Sequence, residues 1–151
     1  MRISTFIAAL LILFSTGKSY GSDELPQTTN SVQAAYEQLL KVKCFALGGI
    51  GRAGLTSEGE KAFHIVSVST NALELFTATL SKGTDEAKLY ALCGLRKLNK
   101  DSYKASEKNL WEANPIVITM SGCIVLGEKA SAVIERISDG SYDAIFNKPI
   151  K

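Results

Sequence analysis

Residues 45 to 54 read FALGGIGRAG and place Gly49, Gly51 and Gly54 at the spacing G-x-G-x-x-G. Dinucleotide-binding enzymes use that spacing to bring backbone against a pyrophosphate. The chemistry requires a β-strand directly before the first glycine, a helix opening at the last, and an acidic residue about 20 positions on. Here the tail of an amphipathic helix precedes the glycines, and the next helix signal starts late, at Ser57. Glu74 stands at the right distance but in mid-helix. Gly48, Gly49, Gly51 and Gly54 are therefore expected to form a tight interhelical turn, and no cofactor is expected.

A second constellation would join His64, the one histidine of the chain, to Ser121 or Cys123 in TMSGCIV. A Ser-His or Cys-His pair with an orienting carboxylate would make a nucleophile. Ser121 lacks the G-x-S-x-G elbow, and a single histidine cannot supply the three or four ligands of a zinc site. With Phe63 and Ile65 on either side, His64 has the setting of a structural residue. No metal site is expected.

Cys44, Cys93 and Cys123 are the three cysteines. The first twenty-one residues carry Arg2, the nine-residue apolar run FIAALLILF and the small, polar end STGKSYG, the pattern of a secretory signal peptide. Cleavage is expected after Gly21, with Gly17 as second choice. The apolar run is far short of the ~20 residues that span a bilayer, so no membrane span is expected in the mature protein, which would be periplasmic or secreted. Such compartments oxidise thiols, so one disulfide with one spare thiol is expected. All three pairings are open. Cys93 lies in the helical run AKLYALCGLRKL as a small apolar residue, whereas Cys44 and Cys123 flank irregular glycine-rich segments that a crosslink would steady, which favours Cys44 with Cys123.

Charge excludes one class of partner. Of 17 Lys and Arg, Arg2 and Lys18 leave with the signal peptide, and the remainder balance the 15 Asp and Glu. Nucleic-acid binders carry a basic surplus, so none is expected here. The densest basic stretch, Arg96, Lys97, Lys100, Lys104 and Lys108, is interleaved with Asp101, Glu107 and Glu112, as solvated helix faces are.

The elements that must position these residues are mostly helices. Residues 22 to 30, SDELPQTTN, are expected to be a flexible leader. Ser31 can cap a helix in which Val32, Ala35, Tyr36, Leu39 and Leu40 recur at helical spacing. Ser57 and Glu60 have the form of a capping box. Helices are expected through ALELFTATL up to Gly83, from Thr84 through AKLYALCGLRKL to Asn99, and from Asp101 or Ser102 to Pro115. In the last of these, Tyr103 and Trp111 lie eight residues apart, close to one face, as a candidate partner surface. Around residues 116 to 126 the β-branched PIVITMSGCIV predicts a short β-hairpin or an extended pair. EKASAVIERI returns to helix, and 141 to 151 form a tail. The fold class is thus mainly α, one domain over 31 to 140, as a small helical bundle or as stacked helical hairpins of the HEAT kind.

Three segments, CFALGGIGRAG, GTDEAKLYALCGLRKLN and TMSGCIVLGE, occur in this order. Together they resemble the MchS-type small secreted proteins of class IIb (siderophore) microcin gene islands of enterobacteria, over residues 41 to 137. The resemblance implies that Cys44 and Cys123 occupy the family's cysteine positions and that Cys93 replaces an aliphatic residue, in keeping with the favoured pair. It implies a microcin-related context. The expected function is an exported, non-enzymatic protein that binds a protein or peptide, accessory to microcin production, export or self-immunity. The alternative is a periplasmic hydrolase or thiol enzyme using Cys123 or Ser121 with His64.

Overall fold

The computed structural model of the protein describes residues 25–146, with side chains from Asn30 onward. The expected signal peptide lies outside the described residues. In chain order the helices are α1 (Leu25–Leu40), α2 (Glu58–Ser67), α3 (Ala72–Lys82), α4 (Asp85–Leu98) and α5 (Lys100–Ala113). A two-stranded antiparallel sheet follows, β1 (Ile116–Ser121) and β2 (Ile124–Lys129), then α6 (Ala130–Ser138) and the short α7 (Asp143–Phe146). The protein is mainly helical with a small β-hairpin. No helix among the described residues is long and apolar enough to cross a membrane.

Local sequence sets most of the boundaries. Ser57 caps α2 by accepting from the Glu60 N–H at 3.0 Å, and Thr84 caps α4 by accepting from the Ala87 N–H at 3.1 Å. Asn99 does two jobs. Its N–H closes α4 on the Leu95 carbonyl, and its side chain accepts from the N–H groups of Asp101 and Ser102 at the start of α5. The chain thus turns a corner at a single residue. At the far end of α5, Asn114 takes the left-handed conformation (φ 40°, ψ 52°) that helix ends favour, directly before Pro115.

Helix α4 is the centre of the domain. Leu89, Tyr90, Leu92 and Leu95 are fully buried on it, and it packs against α2, α3, α5, α6 and β1. With α2, α3, α5 and α6 all in contact with α4, the helices gather around it as a small helical bundle. Gly94 lets α3 come close, since a Cβ there would sit 2.3 Å from the Phe76 ring.

Three boundaries differ from expectation. The leader expected over 22–30 is already helical from Leu25. Pro26 is compatible with this because it falls in the first turn, where its missing N–H has no intrahelical partner to lose. The expected tail docks from its start: Tyr142, Ile145 and Phe146 pack on the core, with the Tyr142 ring 5.4 Å from Phe45 and the Phe146 ring 5.5 Å from Phe63. The hairpin also runs beyond 126, taking Glu128 and Lys129 into β2.

Candidate functional site

The hairpin turns on two residues, because Ser121 pairs with Ile124. Gly122 has φ 55° and Cys123 an ordinary negative φ, the pattern of a II′ turn, which matches strand twist and wants glycine first. Antiparallel pairing alternates residues that bond across the ladder with residues whose backbone points away. With Ser121 and Ile124 bonded across the turn, Val117 and Thr119 bond inward on β1, and Leu126 and Glu128 on β2. Ile118 and Met120 on β1, and Val125, Gly127 and Lys129 on β2, point their backbone groups outward.

The two outer edges are treated differently. On β1, the Ile118 carbonyl accepts from Phe45 (2.8 Å), the Ile118 N–H donates to the Glu86 carboxylate (3.0 Å), and the Met120 N–H donates to the Phe45 carbonyl (3.0 Å). The glycine loop continues that contact, with Gly51 donating to Gly122 (2.8 Å) and Gly122 to Gly49 (3.2 Å). On β2, no described residue pairs with the outward N–H and C=O groups of Val125 and Gly127. Strand β2 is also apolar on both faces and open: Ile124, Val125 and Leu126 are 63%, 57% and 56% exposed. Exposed apolar edges template further strands, and proteins ordinarily blunt them. Only Glu128 and Lys129, at one end, supply charge.

Beneath β2 runs a groove of about 390 Å³, lined by Phe45, Leu47, Ile124, Leu126 and Tyr142 on its apolar side. Glu128 and Arg136 close one end. Glu128 accepts from Arg136 at 2.7 Å and from the Thr119 hydroxyl at 2.6 Å, and the Arg136 Nε donates to the Tyr142 hydroxyl at 3.2 Å. Burial pushes the Glu128 carboxyl up, but the hydrogen bonds from Arg136 and Thr119 outweigh it and hold the group below the usual range. This clamp ties β1, β2, α6 and the tail together.

The loop that backs the site is fixed from the core. The Tyr90 hydroxyl donates to the Ala46 carbonyl and accepts from the Ala46 N–H, both at 2.9 Å, and the Ser57 hydroxyl donates to the same carbonyl at 2.8 Å. Burial pushes the Tyr90 hydroxyl up to about 12, so it is a donor at any ordinary pH. In place of the reciprocal half of a capping box, Glu60 accepts from the Gly48 N–H at 3.0 Å.

The glycine segment is a turn. Gly48, Gly51 and Gly54 have φ of 93°, 67° and 60°, and a Cβ on Gly49 would meet the Gly54 backbone at 2.9 Å. Ile50 and Leu55 pair across it, and the N–H groups of Gly48, Ile50, Gly51 and Gly54 are all taken by protein acceptors. A phosphate cradle needs such groups unpaired.

The favoured disulfide is not formed: Cys44, Cys93 and Cys123 are all free thiols. Strand geometry explains this correction. Phe45 pairs with Thr119 and Ile50 with Gly122 in parallel, which leaves Cys44 alongside Ile118 in mid-strand and Cys123 in the turn beyond Ser121. Four strand residues cover roughly 13 Å, whereas a disulfide wants Cα atoms within about 7 Å. Cys93 is fully buried, and burial pushes its thiol up. Burial and the nearby Glu86 charge raise Cys44 as well.

His64 is buried on α2, with Nε2 3.7 Å from the Glu60 carboxylate and the Phe63 ring beside it. Burial, then the Lys97 charge, hold its pKa below the ordinary value. No hydrogen bond joins His64 to Ser121 or Cys123 among the described residues, so the structure does not assemble that pair. No group of three His, Cys, Asp or Glu among the described residues could hold a metal ion. Trp111 and Tyr103 do not share a surface, for Trp111 is 45% exposed and Tyr103 only 6%. Helical spacing placed them near one face, but α6 packs on α5 and covers Tyr103's end of it.

Sequence reasoning missed the open edge at Val125 and Gly127. The signal was there: IVLG lacks the polar alternation of a half-buried strand. Comparison of the chain with protein-family models, curated proteins and solved structures finds no match.

Proposed function

We propose that the protein acts by binding: the outer edge of β2 accepts an extended segment of a partner protein as a third strand. The observation that carries this is the pair of outward, unpaired backbone positions, Val125 and Gly127, on a strand apolar on both faces. An added strand would satisfy those groups and cover Ile124, Val125 and Leu126, the β-augmentation mode of recognition. The partner segment would itself be apolar at alternate positions. An acidic residue at the end nearest Lys129 would complete the register. The protein acts after export, and the resemblance of its three segments to microcin-island proteins supports a place in microcin production, export or self-immunity. The buried His64, bonded to neither Ser121 nor Cys123, gives hydrolase chemistry no comparable support.

The test is capture from the periplasm of the native host with wild type, Val125→Lys and Gly127→Pro as bait. Proline at 127 removes only an outward N–H, and edge strands tolerate that; a lysine side chain at 125 stays in solvent. The expected result is a partner held by wild type and lost by both variants, with melting temperatures unchanged. A partner held equally by all three baits would refute edge pairing. So would a concentration-dependent dimer of the protein alone that both substitutions dissolve, because the occupant would then be a second copy.

A further inference from the structure

Gly127 sits in the interior of the open edge strand, and nothing in the fold requires a glycine there. It does not take a positive φ, and β1 and β2 pair residue for residue through it without a bulge. A Cβ at this position would meet Ile116 Cγ2 at 3.6 Å and Ile118 Cδ1 at 3.8 Å, ordinary contact distances. Every other described glycine either has a positive φ or would bring a Cβ to 2.9 Å or less from another residue. Glycine weakens a strand interior, and where no bulge or bend explains it, it marks a place that another chain or a ligand approaches closely.

The missing side chain leaves a notch in the outer face of the hairpin. Side chains alternate across a strand, so Val125, Gly127 and Lys129 share this face with Ile116, Ile118 and Met120 of β1. Ile116 and Ile118 form the floor of the notch and are 64% and 39% exposed. Val125 and Lys129 stand at its two ends. From Pro115 to Gly127 the chain carries no charged residue. Lys129, just beyond, is exposed and forms no ion pair among the described residues.

We infer that the strand added at β2 carries an aromatic residue opposite Gly127, its ring lying across the glycine onto Ile116 and Ile118. Resting on the strand addition proposed above, this contact selects which segments the edge accepts. A side chain of the added strand must cross one strand spacing, about 4.8 Å, to stand over Gly127. A phenylalanine or tyrosine ring spans that distance with only two side-chain torsions to fix. Aliphatic side chains stop short, and longer flexible ones lose more entropy on ordering. Aromatic side chains cover edge glycines in this way. Two residues from the aromatic, on the same face, lies the position opposite Lys129, where a carboxylate complements the ammonium. The position two residues the other way faces Val125 and is aliphatic. Between these, the residue opposite Leu126 faces the groove and is apolar. The partner is thus an extended segment whose outer face carries an aliphatic, an aromatic and an acidic residue in turn.

The experiment is a titration of the isotope-labelled protein with capped synthetic peptides, followed by amide chemical shifts. One peptide carries valine, valine, phenylalanine, threonine and aspartate in succession. A second carries the same residues in reverse order, since parallel and antiparallel addition run opposite ways. The expected result is saturable binding of one order, with shift changes along Ile124–Lys129. Phenylalanine to alanine in the peptide should weaken binding by about fivefold or more, and aspartate to asparagine by about twofold. Gly127→Thr keeps the N–H of the edge but fills the notch. It should weaken the phenylalanine peptide to the level of the alanine peptide and leave the alanine peptide unchanged, while the unliganded protein melts at the same or a higher temperature. Gly127→Ala, a smaller filling, should act in the same direction to a lesser degree, and serves if the threonine variant does not fold.

Equal binding of the phenylalanine and alanine peptides by wild type, with both lost in Gly127→Pro, would overturn the aromatic contact and leave strand addition standing. So would a folded Gly127→Thr variant that binds the phenylalanine peptide as wild type does. Saturable binding of neither order would overturn it as well, and strand addition would then stand or fall on capture of the natural partner with Val125→Lys and Gly127→Pro.

Discussion

Replacing Tyr90 by phenylalanine removes one oxygen atom from a fully buried ring and leaves the ring in place. Two groups lose a partner, but unequally. The Ala46 carbonyl keeps the Ser57 hydroxyl at 2.8 Å, whereas the Ala46 N–H, which donates to Tyr90 at 2.9 Å, is left buried with nothing. One orphaned buried donor costs about 1 to 3 kcal/mol, against a total stability on the order of 5 to 15 kcal/mol. Ser57→Ala alone leaves that carbonyl on Tyr90 but strips the α2 cap, for about 1 kcal/mol. In the double variant the carbonyl loses both donors. The pair should therefore be worse than the sum of the singles by about 1 kcal/mol, an interaction that a double-mutant cycle measures directly. Urea unfolding followed by far-UV circular dichroism gives each value from the midpoint at constant slope. A cost below about 0.5 kcal/mol for Tyr90→Phe, or additivity within about 0.3 kcal/mol, would refute the claim that this network fixes the loop behind β1.

The remaining predictions concern thiols and acid. With no disulfide, all three cysteines should alkylate in denaturant without reductant. In the folded protein, mass spectrometry should find Cys123 modified first, Cys44 more slowly, and Cys93 slower than Cys123 by about a thousandfold or more, since its exposure requires deep unfolding. His64 is held below its ordinary pKa by burial and Lys97, so below about pH 6.5 the unfolded chain takes a proton that the folded protein refuses. Stability is full above that pH and falls as acid is added. His64→Gln should flatten the dependence of melting temperature on pH between 6.5 and 5, and an unchanged profile would exclude this cause.

What could be foreseen from sequence was local. Thr84, Asn99 and Pro115 mark boundaries because each acts on a backbone group within four residues. Half of the Ser57 and Glu60 capping box formed for the same reason. The other half was taken by Gly48, a partner twelve positions away that no window of sequence shows. Distance also hid the cysteines: flanking glycines made Cys44 and Cys123 look alike, and only the parallel pairing of Phe45 with Thr119 separates them. Tyr103 looked like a surface residue beside Trp111 until α6, some thirty positions on, covered it. The basic stretch from Arg96 to Lys108 was legible as a solvated face because its acids are interleaved at helical spacing, and Lys97, Lys100, Lys104 and Lys108 are all exposed.

The pairing of Phe45 with Thr119 joins positions more than seventy residues apart, and this bears on the order in which the molecule folds. The helical contacts of α3 with α4 and of α4 with α5 span short loops. Closing the longer loop carries roughly 1.5 kcal/mol more entropy than closing one of a dozen residues. The glycine loop should therefore meet the hairpin after the helices have gathered around α4. In chain order, all of α1 to α5 precedes β2. The open strand edge would then be exposed only once a nearly complete domain stands behind it, which shortens the time in which such an edge could pair with the wrong chain.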